Sequence, residues 1–240
     1  MHLILDIGNT NVKYHLFDQE ESVLSATINS IELVADQVLV DFPALTHVIY
    51  SDVRGMISQE KLQLIFPQLQ VMEVKTLCFP FTSRYATPAT LGDDRIALVA
   101  AATKKYSQQN CLVIDAGTCL TYDFITKEGV YLGGAISPGL QMRFKSLEHF
   151  TGKLPLVQPK TSFSLHGDST ETSINNGVMA GIVYEIEGQI NAYQKKYPSL
   201  TVILTGGDAL NLSKSVKNTI FAEPNFLAEG LNYLLDYNKN

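Results

Sequence analysis

The sequence predicts an α/β protein built as two halves of similar plan, each a mixed sheet flanked by helices. Three observations carry that prediction. The opening stretch Leu3-Ile4-Leu5-Asp6-Ile7-Gly8-Asn9-Thr10 returns in altered form at Leu112-Val113-Ile114-Asp115-Ala116-Gly117-Thr118. Apolar runs alternate with segments of helical spacing in both halves, the pattern of βα units with parallel pairings. A last apolar run, Val202 to Thr205, leads through Gly206 and Gly207 into a helix start at Asp208 and Ala209. The halves are expected at residues 1–108 and 109–240 of a chain whose 240 residues suit one large domain or two modest ones.

Each copy of the repeat is an apolar run ending in aspartate, then a glycine turn and a second apolar run, Val12 to Phe17 or Leu120 to Ile125. Runs of this length bounded by Gly, Asn and Thr read as buried strands joined by a tight turn. Ile31, Val34, Ala35, Val38 and Leu39 repeat at helical spacing and predict a helix over 30–42. A strand follows over 47–53, a helix over 58–66 closed by Pro67, and a strand over 69–74. Residues 79–90, with Pro80 and Pro88, read as a loop. Gly92-Asp93-Asp94-Arg95 opens an alanine-rich helix whose acidic start and terminal Lys104 and Lys105 suit the macrodipole. In the second half a strand near Val130-Tyr131-Leu132 precedes Gly133-Gly134-Ala135-Ile136-Ser137-Pro138-Gly139, with a helix beginning close to Leu140. A long helical pattern covers 172–197, and Leu227, Leu231 and Leu234 mark a closing helix over 225–235.

Apolar residues make up 45% of the chain, enough for a substantial core. The net charge of −6, without a basic cluster, argues against nucleic acid and against an anionic membrane surface. A small anionic ligand needs only local donors and stays compatible. Cys78, Cys111 and Cys119 form no CxxC and read as reduced thiols of a cytosolic protein. No positive n-region opens the chain and no apolar run is long enough to span a bilayer, so a cytoplasmic location without membrane contact is expected.

A buried strand has no structural need for an aspartate at its end, still less twice. In the first turn Gly8 allows close backbone approach to a ligand, and successive N–H groups form an anion-binding concavity. Thr10 and Asn11 add neutral donors and Lys13 a point charge, while Asp6 is placed to hold Mg²⁺ directly or through water. An Asx-type turn in an ordinary hairpin is the alternative. The second copy, running from Asp115 through Thr118 to Asp123, weighs towards a ligand site, and two such hairpins facing each other would line one cleft. At 92–95, Asp94 suits acceptance of a hydroxyl proton and Arg95 a bidentate grip on a carboxylate, although the same residues also suit a helix cap with a surface ion pair. The glycines of Thr205-Gly206-Gly207-Asp208-Ala209 admit a flat ligand such as an adenine ring. Neither GxxxxGK[ST] nor GxGxxG occurs.

The DxGNTxxK start, the GxDR, the DxGT, the GGxIxPG and the TGG-A motifs, in this order and spacing, resemble type III pantothenate kinase, from Leu3 to about Leu231. The resemblance implies two actin-like (ribonuclease H-like) domains of the acetate and sugar kinase, heat-shock chaperone and actin superfamily. It implies ATP-dependent phosphorylation of pantothenate, the first step toward coenzyme A, with Mg²⁺ and a monovalent cation, K⁺ or NH₄⁺. On this resemblance Asp6, Ile7, Gly8, Asn9, Thr10, Asn11, Val12 and Lys13 cradle the ATP phosphates, with Asp6 near Mg²⁺. Thr118 contacts ATP and Asp115 holds the monovalent cation. Asp94 is the general base, while Gly92, Asp93, Asp94 and Arg95, with Tyr85 packed on the substrate, bind pantothenate. Thr170, with Thr172 one turn away as the other choice, reaches pantothenate from the partner subunit of a homodimer whose active site lies at the interface. Cys119 and Asp93 depart from the usual pattern, and Asp93 adds a negative charge that would repel an anionic substrate. A kinase acting on a sugar or acetate is the nearest other reading. A nucleotide-binding regulator is the reading from another class, and the acidic chain argues against direct DNA contact.

Overall fold

Both aspartate-ended runs become the central strands of mixed sheets. The computed structural model describes residues 1–8, 11–28 and 30–239, with only the backbone described for Leu33 and Asp36. The site expectations for Asn9 and Thr10 therefore lie outside the described residues. Along the chain come β1 (His2–Ile7), β2 (Val12–Asp18), β3 (Glu21–Ile28), α1 (Ile31–Asp41), β4 (His47–Asp52), α2 (Gln59–Ile65), β5 (Gln70–Glu73), β6 (Thr82–Ser83) and α3 (Asp93–Lys105). These are followed by β7 (Asn110–Ala116), β8 (Cys119–Ile125), β9 (Val130–Pro138), α4 (Leu140–His149), α5 (Thr170–Lys196), β10 (Leu200–Thr205), α6 (Ala209–Ser213), β11 (Phe221–Ala222) and α7 (Phe226–Asn238).

The chain divides into two compact units, one of residues 1–107, 129–131 and 225–240, the other of 108–128 and 132–224. The sheet of the first unit runs β3-β2-β1-β4-β5, with β1 antiparallel to β2 and parallel to β4. That of the second contains β9-β8-β7-β10-β11, with β7 antiparallel to β8 and parallel to β10. The repeat in sequence is thus a repeat of strand order, and each aspartate is the penultimate residue of the central strand. In the first sheet, helices α1 and α2 on one face and α7 on the other suit the unbroken apolar run of β1.

One face of the first sheet packs Leu3, Leu5, Ile7, Val48 and Tyr50 against Ile31, Val34, Ala35 and Val38 of α1 and Leu62 of α2. Strand alternation puts His2, Ile4, Asp6, Ile49 and Ser51 on the other face. There the His2 ring pairs with Asn232 Oδ1 of α7 at 2.8 Å, and Asn232 Nδ2 donates to the Gln19 carbonyl at 2.8 Å. Residues 225–240, placed in the C-terminal half on sequence, cluster with the first unit because α7 packs on α3. A Cβ added at Gly230 would lie 1.9 Å from the Ala97 carbonyl oxygen, so the two helices meet backbone to backbone.

Several strands differ from the sequence prediction for physical reasons. β3 is exposed from Glu21 to Thr27 at a sheet edge, and its mixed sequence from Glu21 to Ile28 lacks the unbroken apolar run of the buried strands. The glycine stretch after Val130 continues as strand to Pro138. A Cβ at Gly134 would lie 1.6 Å from the Tyr122 carbonyl oxygen, so the glycine serves close strand contact rather than a turn. The loop at 79–90 also contains β6, which pairs Thr82 with Val130 and Ser83 with Tyr131.

Candidate active site

In the first unit the end of β1 carries the chemistry. Asp6 lies in register with Lys13 of β2 and with Ser51 of β4, so three side chains form a row across the sheet. The Gly8 N–H donates to the Asn11 carbonyl at 3.0 Å and closes the turn. Asn11 and Lys13 are exposed, Val12 is half-buried, and Ile7 belongs to the apolar cluster. Ile7 therefore offers a ligand only its backbone. Burial pushes the Asp6 carboxyl up to about 6; Lys13 pulls it down and the charge of Asp94 pushes it further up. Burial is thus the main cause at Asp6, and Asp94 adds a smaller push in the same direction.

Asp94 sits in the first turn of α3. Its Oδ1 accepts the Arg95 backbone N–H at 2.7 Å, and a Cβ at Gly92 would lie 2.4 Å from the same oxygen. Gly92 is the N-cap residue, and the missing side chain is what lets the Asp94 carboxylate fold back over the helix start. Burial raises the Asp94 carboxyl above its ordinary value, against the Arg95 N–H and guanidinium, which lower it. A base desolvated in this way holds a proton better than a solvated carboxylate.

The Arg95 guanidinium lies over the Tyr85 ring, 5.5 Å from its centroid, with Nη1 3.5 Å from the phenol oxygen. Tyr85 in turn stacks on Tyr131 at 6.1 Å and 17°, and Phe81 meets Tyr131 edge-on at 6.1 Å. The Arg84 N–H bonds the Tyr131 carbonyl at 2.9 Å, which anchors the loop bearing Tyr85 to β9. Tyr131 is fully buried. It was missed on sequence because its strand is distant in the chain, and only the β6–β9 pairing brings it beneath Tyr85.

Asp93, beside it in the first turn of α3, is turned toward the fold. Its side chain is 6% exposed, accepts the Asp52 backbone N–H, and lies 4.0 Å from the Lys75 ammonium. Burial pushes this carboxyl up to about 6. The extra charge is therefore turned into the fold, where it ties the first turn of α3 to the end of β4.

In the second unit Asp115, the penultimate residue of β7, lies in register with Thr121 of β8 and Thr205 of β10. The Gly117 N–H donates to the Cys119 carbonyl at 3.0 Å, closing a turn like that at Gly8. Thr118 is exposed, and its carbonyl accepts the Gly139 N–H at 3.2 Å. A Cβ at Gly139 would lie 2.4 Å from both the Gly117 and Thr118 carbonyls, so the Pro138-Gly139 turn seats against the Asp115 turn. The first glycine of the Gly206-Gly207 pair has φ +93° and backs directly onto Asp115, whose Oδ1 lies 2.2 Å from a Cβ built there. Only Gly207 faces open space. Thr170 is exposed at the start of α5 and lines a cavity of about 690 Å³ with Arg143, Leu147 and Leu154. Thr172 closes a capping box with Ser169, its Oγ1 accepting the Asp168 and Ser169 N–H groups at 3.0 and 2.9 Å.

Among the described residues no three His, Cys, Asp or Glu side chains gather as a metal cage. Mg²⁺ does not need one, since it keeps several waters and takes one or two carboxylates plus phosphate oxygens. A single partly exposed carboxylate at a glycine turn, with Lys13 in register, fits that demand.

The family model for type III pantothenate kinase matches residues 2–192. A type III pantothenate kinase from Christiangramia forsetii is 47% identical over 243 residues, covering 100% of this chain and 99% of its own. A crystal structure from Campylobacter jejuni, described as a conserved Baf family transcriptional activator, aligns with TM-score 0.65 and 25% identity over 98% of each chain. A propionate kinase from Francisella tularensis aligns with TM-score 0.56 and 12% identity over 98% of this chain and 99% of that one, which speaks to the fold alone.

Proposed function

Because the chain belongs to the type III pantothenate kinase family, we propose that its two actin-like domains carry out the family reaction through Asp94, with Arg95 and Tyr85 holding the substrate. That reaction is ATP-dependent phosphorylation of pantothenate to 4′-phosphopantothenate, the first step of coenzyme A biosynthesis. The placement of Asp94 carries the reading: its carboxylate is folded over the start of α3 by the Arg95 N–H, next to the Arg95–Tyr85 pair.

Gly8, Asn11 and Lys13, with the backbones of Ile7 and Val12, hold the ATP phosphates, and Asp6 holds Mg²⁺. When bound, the metal offsets charge on the phosphates during transfer, and most of the catalysis is positioning and charge neutralisation. Arg95 binds the pantothenate carboxylate while Tyr85 packs on the substrate, and Asp94 Oδ accepts the proton of the attacking hydroxyl. Asp93 acts from behind by holding α3 to β4 rather than by touching substrate. Thr118 contacts ATP. Asp115 holds K⁺ or NH₄⁺, a reading supported by two threonine neighbours where Asp6 has a lysine. Thr170 is favoured over Thr172 as the substrate threonine, because the Thr172 hydroxyl is engaged in the helix cap. The protein works as a cytoplasmic homodimer; exposed Phe150 and Leu165 near α4 and α5 are compatible with a partner there, and sedimentation of the purified protein checks it. No described helix is long and apolar enough to cross a membrane.

The direct test is ATP consumption with pantothenate, with and without potassium, beside a panel of sugars and acetate. Turnover of a sugar without turnover of pantothenate would overturn the substrate. Two further outcomes are expected. A metal held at Asp6 competes with one proton on a carboxyl whose value is about 6. The affinity for ATP with Mg²⁺, followed by calorimetry, should therefore be level above that pH and fall about tenfold per unit below it. Tyr131→Leu removes the ring beneath Tyr85 and should raise the pantothenate KM about 3–10-fold, the scale of one aromatic pair, with the ATP KM unchanged.

A further inference from the structure

The central strand of each sheet ends in a row of three side chains, and one position of that row is shared. Asp6 and Asp115 each have a hydroxyl residue in register on the parallel side, Ser51 of β4 and Thr205 of β10. The antiparallel sides differ, with Lys13 in one and Thr121 in the other. Ser51 is 0% exposed, and its Oγ has no hydrogen-bond partner among the described residues. Buried hydroxyls are almost always bonded, so one left over at a strand end beside a carboxylate calls for a partner. Val48 and Tyr50 of the same strand face the apolar cluster, so Ser51 points to the side of Asp6 and α3. The Asp52 N–H, one residue on, is held by Asp93 in the first turn of α3. Ser51 thus sits on β4 in register with Asp6, on a strand that packs against α3.

We infer that Ser51 is a positioning residue for the metal-nucleotide complex. Its hydroxyl bonds the oxygen shell of the divalent ion at Asp6, either a coordinated water or the Asp6 carboxylate as it turns toward the ion. Groups of this kind orient a ligand without touching the metal, and their loss weakens metal binding. The role rests on the reading that Asp6 holds Mg²⁺ with ATP.

The test is calorimetry of ATP binding to the whole protein, once with Mg²⁺ and once with EDTA, for the parent and for Ser51→Ala, with melting curves of the ligand-free proteins. Ser51→Ala should melt at or above the parent temperature, because it removes an unbonded buried hydroxyl. It should bind ATP equally in EDTA and lose about tenfold of the affinity gained with Mg²⁺. An unchanged Mg²⁺-dependent gain overturns the role. So does a melting temperature several degrees lower, because the hydroxyl would then serve the fold. A parent that binds no ATP at all overturns the kinase reading, and this role with it.

Discussion

Asp94→Asn is expected to keep ATP binding and to lower turnover roughly 10²–10⁴-fold, the usual contribution of a positioned general base. The substitution conserves shape. Asparagine Oδ1 can still accept the Arg95 N–H that Asp94 holds at 2.7 Å, so the first turn of α3 keeps its local bond. The amide has no capacity to take the hydroxyl proton. A second readout separates loss of the base from a disturbed site. The Asp94 charge helps push the Asp6 carboxyl up to about 6. Removing it should move the acid limb of Mg²⁺-dependent ATP binding to lower pH, since Asp6 then ionises more readily. Full turnover in the variant would place the proton acceptor elsewhere. Lost turnover without the shift in the binding profile would mean that the Asp94 charge is not felt at Asp6.

The paired aspartates were legible because they break a rule: carboxylates at the ends of buried strands have no packing purpose. Gly92-Asp93-Asp94-Arg95 was legible as a helix start for the same kind of reason, acidic residues at the positive end of the macrodipole. What these four residues do was only half visible. Asp93 and Asp94 are adjacent and chemically alike, yet one points into the sheet and the other stays at the helix mouth. Helical geometry turns successive residues by about 100°, so neighbours in sequence face different surroundings. Ser51 and Tyr131 were silent because their importance comes from register with distant strands. A serine at the end of an apolar run is ordinary until β4 pairs in parallel with β1 and sets it beside Asp6. The return of α7 to α3 was hidden likewise, because Gly230 looks like a helix weakness until Ala97 is found against it. Local patterns mark strands, helix starts and strained turns, while side-by-side placement depends on pairings that no short window contains.

The second glycine motif shows how a residue chosen for a ligand on sequence grounds can serve the protein itself, and it sets the other large effect. Gly206→Ala should destabilise the protein by about 2–4 kcal/mol, whereas Gly207→Ala should stay within about 0.5 kcal/mol. Gly206 has φ +93°, a conformation that alanine adopts only with strain, and its missing Cβ leaves room for Asp115 Oδ1 at 2.2 Å and the Ala116 carbonyl carbon at 2.6 Å. The neighbours cannot withdraw freely. The Asp208 N–H is bonded to the Ala116 carbonyl at 3.0 Å, and Thr205 pairs in register with Asp115. A methyl group must therefore spread the ends of β7 and β10 or rotate the Asp115 carboxylate out of its row. At Gly207 nothing lies within 4 Å, so the adjacent substitution controls for helix propensity and turn entropy. Denaturant midpoints measure the difference, and potassium activation curves report on Asp115. If Gly206→Ala unfolds at the same denaturant concentration as Gly207→Ala, the close approach is not a constraint on the fold. If stability falls as expected, displacement of Asp115 should also raise the potassium concentration needed for half-maximal activity, because the carboxylate proposed to hold the ion is the group the new methyl meets first.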